Sequence, residues 1–310
     1  MRLRLVIGIM IIGRLAVVSP GAQDIHGQPQ QTFRTAVDVV TIQASVRDAR
    51  GHIVSGLTTT DFEVRDNGQP RPILSFRSDS QSPLSLAIMV DMSGSMRSGP
   101  KIAMARQAYD ALLSQLHQGQ DEVALFTFDS SLHERGGFTR DLETLKGALS
   151  EFEPFGTTSL YDATAATARQ LAARSATHKA IIVLTDGIDT SSDMTAREVS
   201  ALASSIDVPV FVVATVPLSD RRILLDASER PSWLNTGADM RDLAEWTGGL
   251  FMFASNFVET AAAASQLING LRQEYVLAIE AANGREWRRL DVRVRRPSVV
   301  VKARTGYFAG

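Results

Sequence analysis

Five short apolar runs alternate with stretches of helical periodicity between residues 84 and 271, and that alternation restricts the fold more than any other property of the chain. The runs are Leu84–Val90, Val123–Phe128, Ile181–Thr185, Val210–Thr215 and Leu250–Ala254. They are of strand length and nearly unbroken in their apolar character, as expected of strands buried on both faces. Apolar residues at helical spacing mark helices near 100–117, 141–152, 160–174, 195–206, 240–247 and 257–271; in the first they are Ile102, Ala105, Tyr109, Leu112, Leu113 and Leu116, and in the second Leu142, Leu145, Leu149 and Phe152. Strand–helix alternation of this kind predicts a doubly wound, mostly parallel sheet with helices on both faces.

Period-two patterns flank this region on both sides. Val40, Ile42, Ala44 and Val46 alternate with Thr41, Gln43, Ser45 and Arg47, which reads as a half-buried strand. Phe62 to Arg65 reads as a second strand, Asp66-Asn67-Gly68-Gln69 as a hairpin turn, and Ile73 to Phe76 as its return. After Leu271, Tyr275, Leu277 and Ile279 alternate, Asn283-Gly284 turns, Leu290, Val292 and Val294 alternate with Arg289, Asp291 and Arg293, and Val299–Val301 follows. Neither flank has enough strands to close a core alone. The economical organisation is an α/β domain at 84–272 inserted in a small discontinuous antiparallel β domain, whose parts are 36–80 and 273–310. The two flanks are expected to pair in one sheet or sandwich.

The ends of two of the apolar runs carry the chemistry. Asp91-Met92-Ser93-Gly94-Ser95 leaves the first run and enters a helix, and Asp186 follows Ile181-Ile182-Val183-Leu184-Thr185. Gly156-Thr157-Thr158-Ser159 precedes another helix. In open α/β sheets ligands bind at the carboxyl ends of the strands, where these three loops lie. Carboxylates and hydroxyls are hard donors, suited to Mg²⁺ or Mn²⁺. Each piece also has a plain structural reading: Asp91 as a helix cap, Ser93, Ser95 and Thr158 as partners for backbone donors, and Asp186-Gly187 as a turn.

The three loops together resemble those of the von Willebrand factor A family with its metal-ion-dependent adhesion site. Asp91, Ser93 and Ser95 match that family's D-x-S-x-S, Thr158 aligns with its threonine, and Asp186 matches its last aspartate. Thr157 stands where glycine is usual, before Ser159-Leu160-Tyr161-Asp162-Ala163. The resemblance covers roughly 84–272. It implies a doubly wound, Rossmann-like fold, a Mg²⁺ (or Mn²⁺) ion, and a protein partner that offers an Asp or Glu carboxylate to the metal. The flanks, through Asp61-Phe62-Glu63-Val64-Arg65-Asp66-Asn67-Gly68 and Arg304-Thr305-Gly306-Tyr307, resemble bacterial exported proteins of the same type.

Composition narrows the alternatives. A net charge of −2 offers no attraction for nucleic acid or an anionic membrane, and the absence of Cys excludes zinc ribbons, thiol catalysis and disulfides. No nucleophile–base pair, phosphate-binding glycine loop or paired acid/base carboxylates occur, so a binding module rather than an enzyme is expected. The alternatives are a Mg²⁺-dependent hydrolase of phosphate esters, which would need a general base and a nearby cation, and a purely structural metal with function in the β domain. The basic start Met1-Arg2-Leu3-Arg4 and the apolar Leu5–Val18 read as a signal peptide at 1–23, with 24–35 a linker. An exported protein, periplasmic or secreted and without a stable membrane span, is expected. Asp129 and Asp162 lie near the same sheet edge as the candidate site, with capping and loop solvation the plainer reading. His133 and His178 show no ligand spacing, and the arginines of 285–296 read as the solvated face of a strand. The segment 217–238, with Arg221, Arg222, Trp233 and Leu234, is either a specificity loop or plain surface.

Overall fold

The computed structural model describes residues 38–78, 82–176, 178–187, 189–205, 207–218, 236–284 and 286–309. The expected leader, the linker and most of 217–238 lie outside the described residues.

Strands β1 (Val39–Asp48), β2 (Phe62–Asp66), β3 (Gln69–Arg71) and β4 (Ile73–Arg77) open the chain. The α/β region follows as β5 (Leu84–Asp91), α1 (Lys101–Ser114), β6 (Glu122–Phe128), β7 (Leu132–Thr139), α2 (Leu160–Ala172), β8 (His178–Thr185), α3 (Ala196–Ser205), β9 (Val210–Thr215), α4 (Thr236–Thr247), β10 (Phe251–Ala254) and α5 (Phe257–Arg272). The chain returns to antiparallel structure with β11 (Tyr275–Glu280), β12 (Trp287–Val294), β13 (Val299–Ala303) and β14 (Gly306–Phe308).

The central sheet has the order β10-β9-β8-β5-β6-β7 and is parallel except for β7. Leu84, Leu86, Ile88 and Val90 of β5 pack with Tyr109 and Leu112 of α1 and Leu267 and Leu271 of α5. Ala87 and Met89 face the other way, onto a cluster with Leu160 and Leu171 of α2, Val199 of α3 and Leu243 of α4. Both faces are covered, as the unbroken apolar runs require. The chain steps from β5 to β6 on one side and comes back to β8 on the other, so the reversal of strand order lies between β5 and β8.

The flanks do pair. One sheet has the order β13-β1-β11-β4 and the other β14-β12-β2-β3, and each mixes strands from both ends of the chain. Between them lie Val40, Ile42, Ala44 and Val46 with Phe62, Val64, Tyr275, Leu277, Leu290 and Tyr307. The strand before the α/β region and the strand after it are neighbours, with Arg77 opposite Val276. An insertion leaves such a sandwich intact because its two ends emerge side by side.

Four expectations need correction. The Asn67-Gly68 turn is present, with both residues at positive φ, but the hairpin returns at once through β3, and Ile73–Arg77 crosses to the other sheet beside β11. The segment 141–152 holds only a short 3-10 turn at Leu142–Leu145; Gly147 at φ +70 interrupts any helix, while Leu142, Leu145 and Leu149 still reach the core. The polar face of β1 is not wholly solvated: Gln43 and Ser45 are buried, and the Gln43 amide donates to the carbonyls of Lys179 and Asp207 in the α/β region. Arg288 is not on a solvated face either, since it pairs with the buried Asp66 at 2.7 Å, where the Tyr307 hydroxyl also donates. Among the described residues no helix is long and apolar enough to cross a membrane.

Candidate metal centre

Asp91 ends β5 and Thr185 ends β8, the two strands that flank the reversal of strand order. The parallel register sets them side by side, and the Thr185 hydroxyl donates to Asp91 Oδ2 at 2.6 Å. The other oxygen, Asp91 Oδ1, accepts from the Ser93 amide at 2.8 Å. That contact folds the loop back on itself, and the hydroxyls of Ser93 and Ser95 come within 3.0 Å of each other.

Hydrogen bonds tie the three loops together. The Gly94 amide donates to Gly156 O at 2.9 Å and the Phe155 amide to Met92 O at 2.7 Å. A Cβ on Gly94 would sit 3.2 Å from Gly156 O, so the close approach of these loops favours glycine there. The loop carrying Thr158 is held in turn by the segment after β8. The amides of Thr190 and Ser191 donate to Thr158 O, and the Thr158 amide donates to the Thr190 hydroxyl at 2.9 Å. Asp189 caps α2 by accepting from the Leu160 amide at 2.7 Å.

Asp91, Ser93, Thr158 and Asp186 are all buried, and Ser95 is half-buried. Burial first, and the nearby Asp186 charge second, push the Asp91 carboxyl up to about 7. Asp186 Oδ2 accepts from the Lys101 ammonium at 3.0 Å, whereas Asp186 Oδ1 is buried with no hydrogen-bond partner among the described residues. A buried carboxylate oxygen without a donor is costly, and two carboxylates this close are electrostatically unfavourable without cations. Both observations fit a hard divalent ion held by oxygen donors. Among the described residues no group of three or more His, Asp or Glu is disposed to bind a metal; this donor set has two carboxylates and completes itself with hydroxyls.

Sequence reasoning overlooked Thr185 and gave Lys101 no role. Thr185 was visible as the residue before Asp186, but its reach to Asp91 depends on the β5–β8 register. The other acidic candidates serve the loops. Asp162 accepts from the amides of Asp193 and Met194 at 2.9 Å, and Asp129 accepts from the Ser131 amide at 3.0 Å and lies 3.3 Å from His133 Nε2.

The family model for the von Willebrand factor type A domain matches residues 86–189, the span from β5 to the loop beyond Asp186. The α/β region has a von Willebrand factor type A-like fold. No protein of curated function matches the sequence. Among solved structures, the chain is similar to a von Willebrand factor type A protein from Catenulispora acidiphila, with a TM-score of 0.50, 12% identity, and 87% of this chain and 73% of that one covered. It is also similar to proximal thread matrix protein 1 from the mussel byssus with a zinc-occupied MIDAS motif; the TM-score is 0.50, the identity 14%, and the coverage 66% of this chain and 49% of that one. BatB from Bacteroides thetaiotaomicron aligns at a TM-score of 0.48 and 18% identity, covering 61% of this chain and 98% of that one. At these identities the likeness is one of fold. Asp91, Ser93, Ser95, Thr158 and Asp186 all lie within the matched span.

Proposed function

We propose that this chain is a divalent-metal-dependent protein-binding module. Asp91, Ser93, Ser95, Thr158 and Asp186 hold Mg²⁺, or Mn²⁺, and the ion accepts an Asp or Glu carboxylate from a partner protein. The observation that carries this reading is the buried Oδ1 of Asp186, without a donor among the described residues, beside loops that also hold Asp91 and the Ser93–Ser95 hydroxyl pair. When bound, the ion supplies Lewis acidity and a coordination position for the partner. The protein's own groups hold the loops in register: Thr185 and the Ser93 amide orient Asp91, and Thr190 and Ser191 hold the Thr158 backbone. We read 84–272 as the binding module, 36–80 and 273–310 as its frame, and 1–23 as an export signal that places the module in the periplasm or outside the cell.

Calorimetric titration with Mg²⁺ and Mn²⁺ tests the site. The wild type should bind one ion, and Asp91→Asn, which retains the shape of the side chain, should bind at least roughly 100-fold more weakly because a charged ligand is lost in a buried site. Equal binding by a folded Asp91→Asn variant would place the ion elsewhere. Capture of partners in Mg²⁺ but not in EDTA is the corresponding functional outcome, and hydrolysis of phosphate esters by the pure protein would displace the binding-module reading. Intact-mass analysis of exported protein should show a chain beginning between about residues 19 and 24; a mature chain that retains Met1 would refute the export assignment.

A further inference from the structure

Lys101 occupies a position that helix stability does not explain. It is the first residue of α1, where the aligned peptide dipoles present positive charge, and a cation there is unfavourable. It is also only 8% exposed, a cost for an ammonium that a surface position would avoid. Its Nζ lies 3.0 Å from Oδ2 of Asp186, itself 1% exposed, and the second oxygen of that carboxylate is the one without a donor among the described residues. Buried ion pairs seldom stabilise a fold beyond what an apolar pair would. This pair instead sets a fixed positive charge on a carboxylate of the candidate metal centre.

We infer that Lys101 is a built-in counter-cation that competes with the metal for Asp186 and thereby sets how tightly the site holds its ion. The inference rests on the metal reading above and extends it to a residue outside the donor set. A divalent ion drawn to Asp186 meets a carboxylate whose charge is already shared, and it is repelled by the ammonium at short range in a poorly screened site. The ion is therefore held more weakly, and exchanged more readily, than two carboxylates and three hydroxyls would hold it alone.

The test compares the wild type with Lys101→Met, Lys101→Gln and Lys101→Arg by calorimetric titration with Mn²⁺, together with thermal melts in EDTA and in Mn²⁺. Lys101→Met and Lys101→Gln should bind Mn²⁺ at least roughly tenfold more tightly than the wild type, melt at lower temperature in EDTA, and gain more from added Mn²⁺. Lys101→Arg keeps the charge and should stay near wild-type affinity. A purely structural lysine would lower the melting temperature in both conditions without tightening the metal. Should the neutral variants need metal to fold, the rate of Mn²⁺ release to a chelator reads the same quantity, and slower release is expected. Unchanged or weaker Mn²⁺ binding by both neutral variants, with the wild type binding normally, overturns the role of Lys101 and leaves the metal site standing. Mn²⁺ binding by neither the wild type nor any Lys101 variant removes the metal site itself, and the inference with it.

Discussion

At the scale of single residues, the candidate centre is organised by short hydrogen bonds to Asp91 rather than by the spacing of its ligands alone. The alternate placement of Asp91, Ser93 and Ser95 is visible in the sequence, and so is the position of Asp186 after an apolar run. Their burial is not: three loops close over one another through Gly94, Gly156, Thr158 and Thr190. Ser93→Ala should weaken Mg²⁺ binding by about tenfold, the scale of one hydrogen-bonding group, and so by less than Asp91→Asn. Calorimetry on the two variants side by side decides the order; a larger loss from Ser93→Ala would mean that the hydroxyls, not the carboxylates, dominate the site.

At the scale of elements, Arg304 fastens the sandwich to the α/β region. It lies between β13 and β14, is buried, and its guanidinium donates to Ser204 O at the end of α3 and to Thr41 O on β1, with Asp207 Oδ1 at 3.5 Å. Arg304→Ala would strand Asp207 and two carbonyls in a buried seam, and should cost about 3–5 kcal/mol. Chemical denaturation should show this as a lower midpoint, and a loss below about 1 kcal/mol would show that water reaches the seam and replaces the guanidinium. The same seam explains why the odd-numbered side of β1 was misread. Alternation tells which residues share a face, and it correctly grouped Thr41, Gln43 and Ser45. It does not tell whether a polar face meets water or another layer of protein.

Across the whole molecule, the seam makes stability depend on pH. Glu274, 4% exposed at the start of β11, has its carboxyl pushed up to about 8, first by burial and then by the charge of Asp207, with Arg47 opposing. Arg47 is itself shifted down by burial, and its Nε and Nη2 have no hydrogen-bond partner among the described residues. In the unfolded chain Glu274 ionises near pH 4.3, so between that pH and about 8 the folded state holds a proton that the unfolded state has lost. The contribution of Glu274 is therefore fully present below pH 4.3, declines by up to about 1.4 kcal/mol per unit as pH rises, and is gone above about 8. Glu274→Gln should flatten this decline and be the more stable protein at pH 8. Denaturation at pH 5, 6.5 and 8 checks the sign; parallel wild-type and variant curves would show that Glu274 is ionised in the fold.

The layer architecture, the strand ends that carry Asp91 and Asp186, and the pairing of the two flanks follow from local pattern. Continuous apolar runs can only be buried strands, and period-two flanks can only complete a sheet with each other. Other features needed the tertiary structure. The transfer of Ile73–Arg77 to the opposite sheet, the burial of Gln43 and Arg304 in the seam, and the pairing of Lys101 with Asp186 join residues 85 or more positions apart in most of their contacts. Periodicity records which side of its own element a residue occupies. Which partner waits on that side depends on how the elements stack, and for a buried charge that partner determines both its cost and its use.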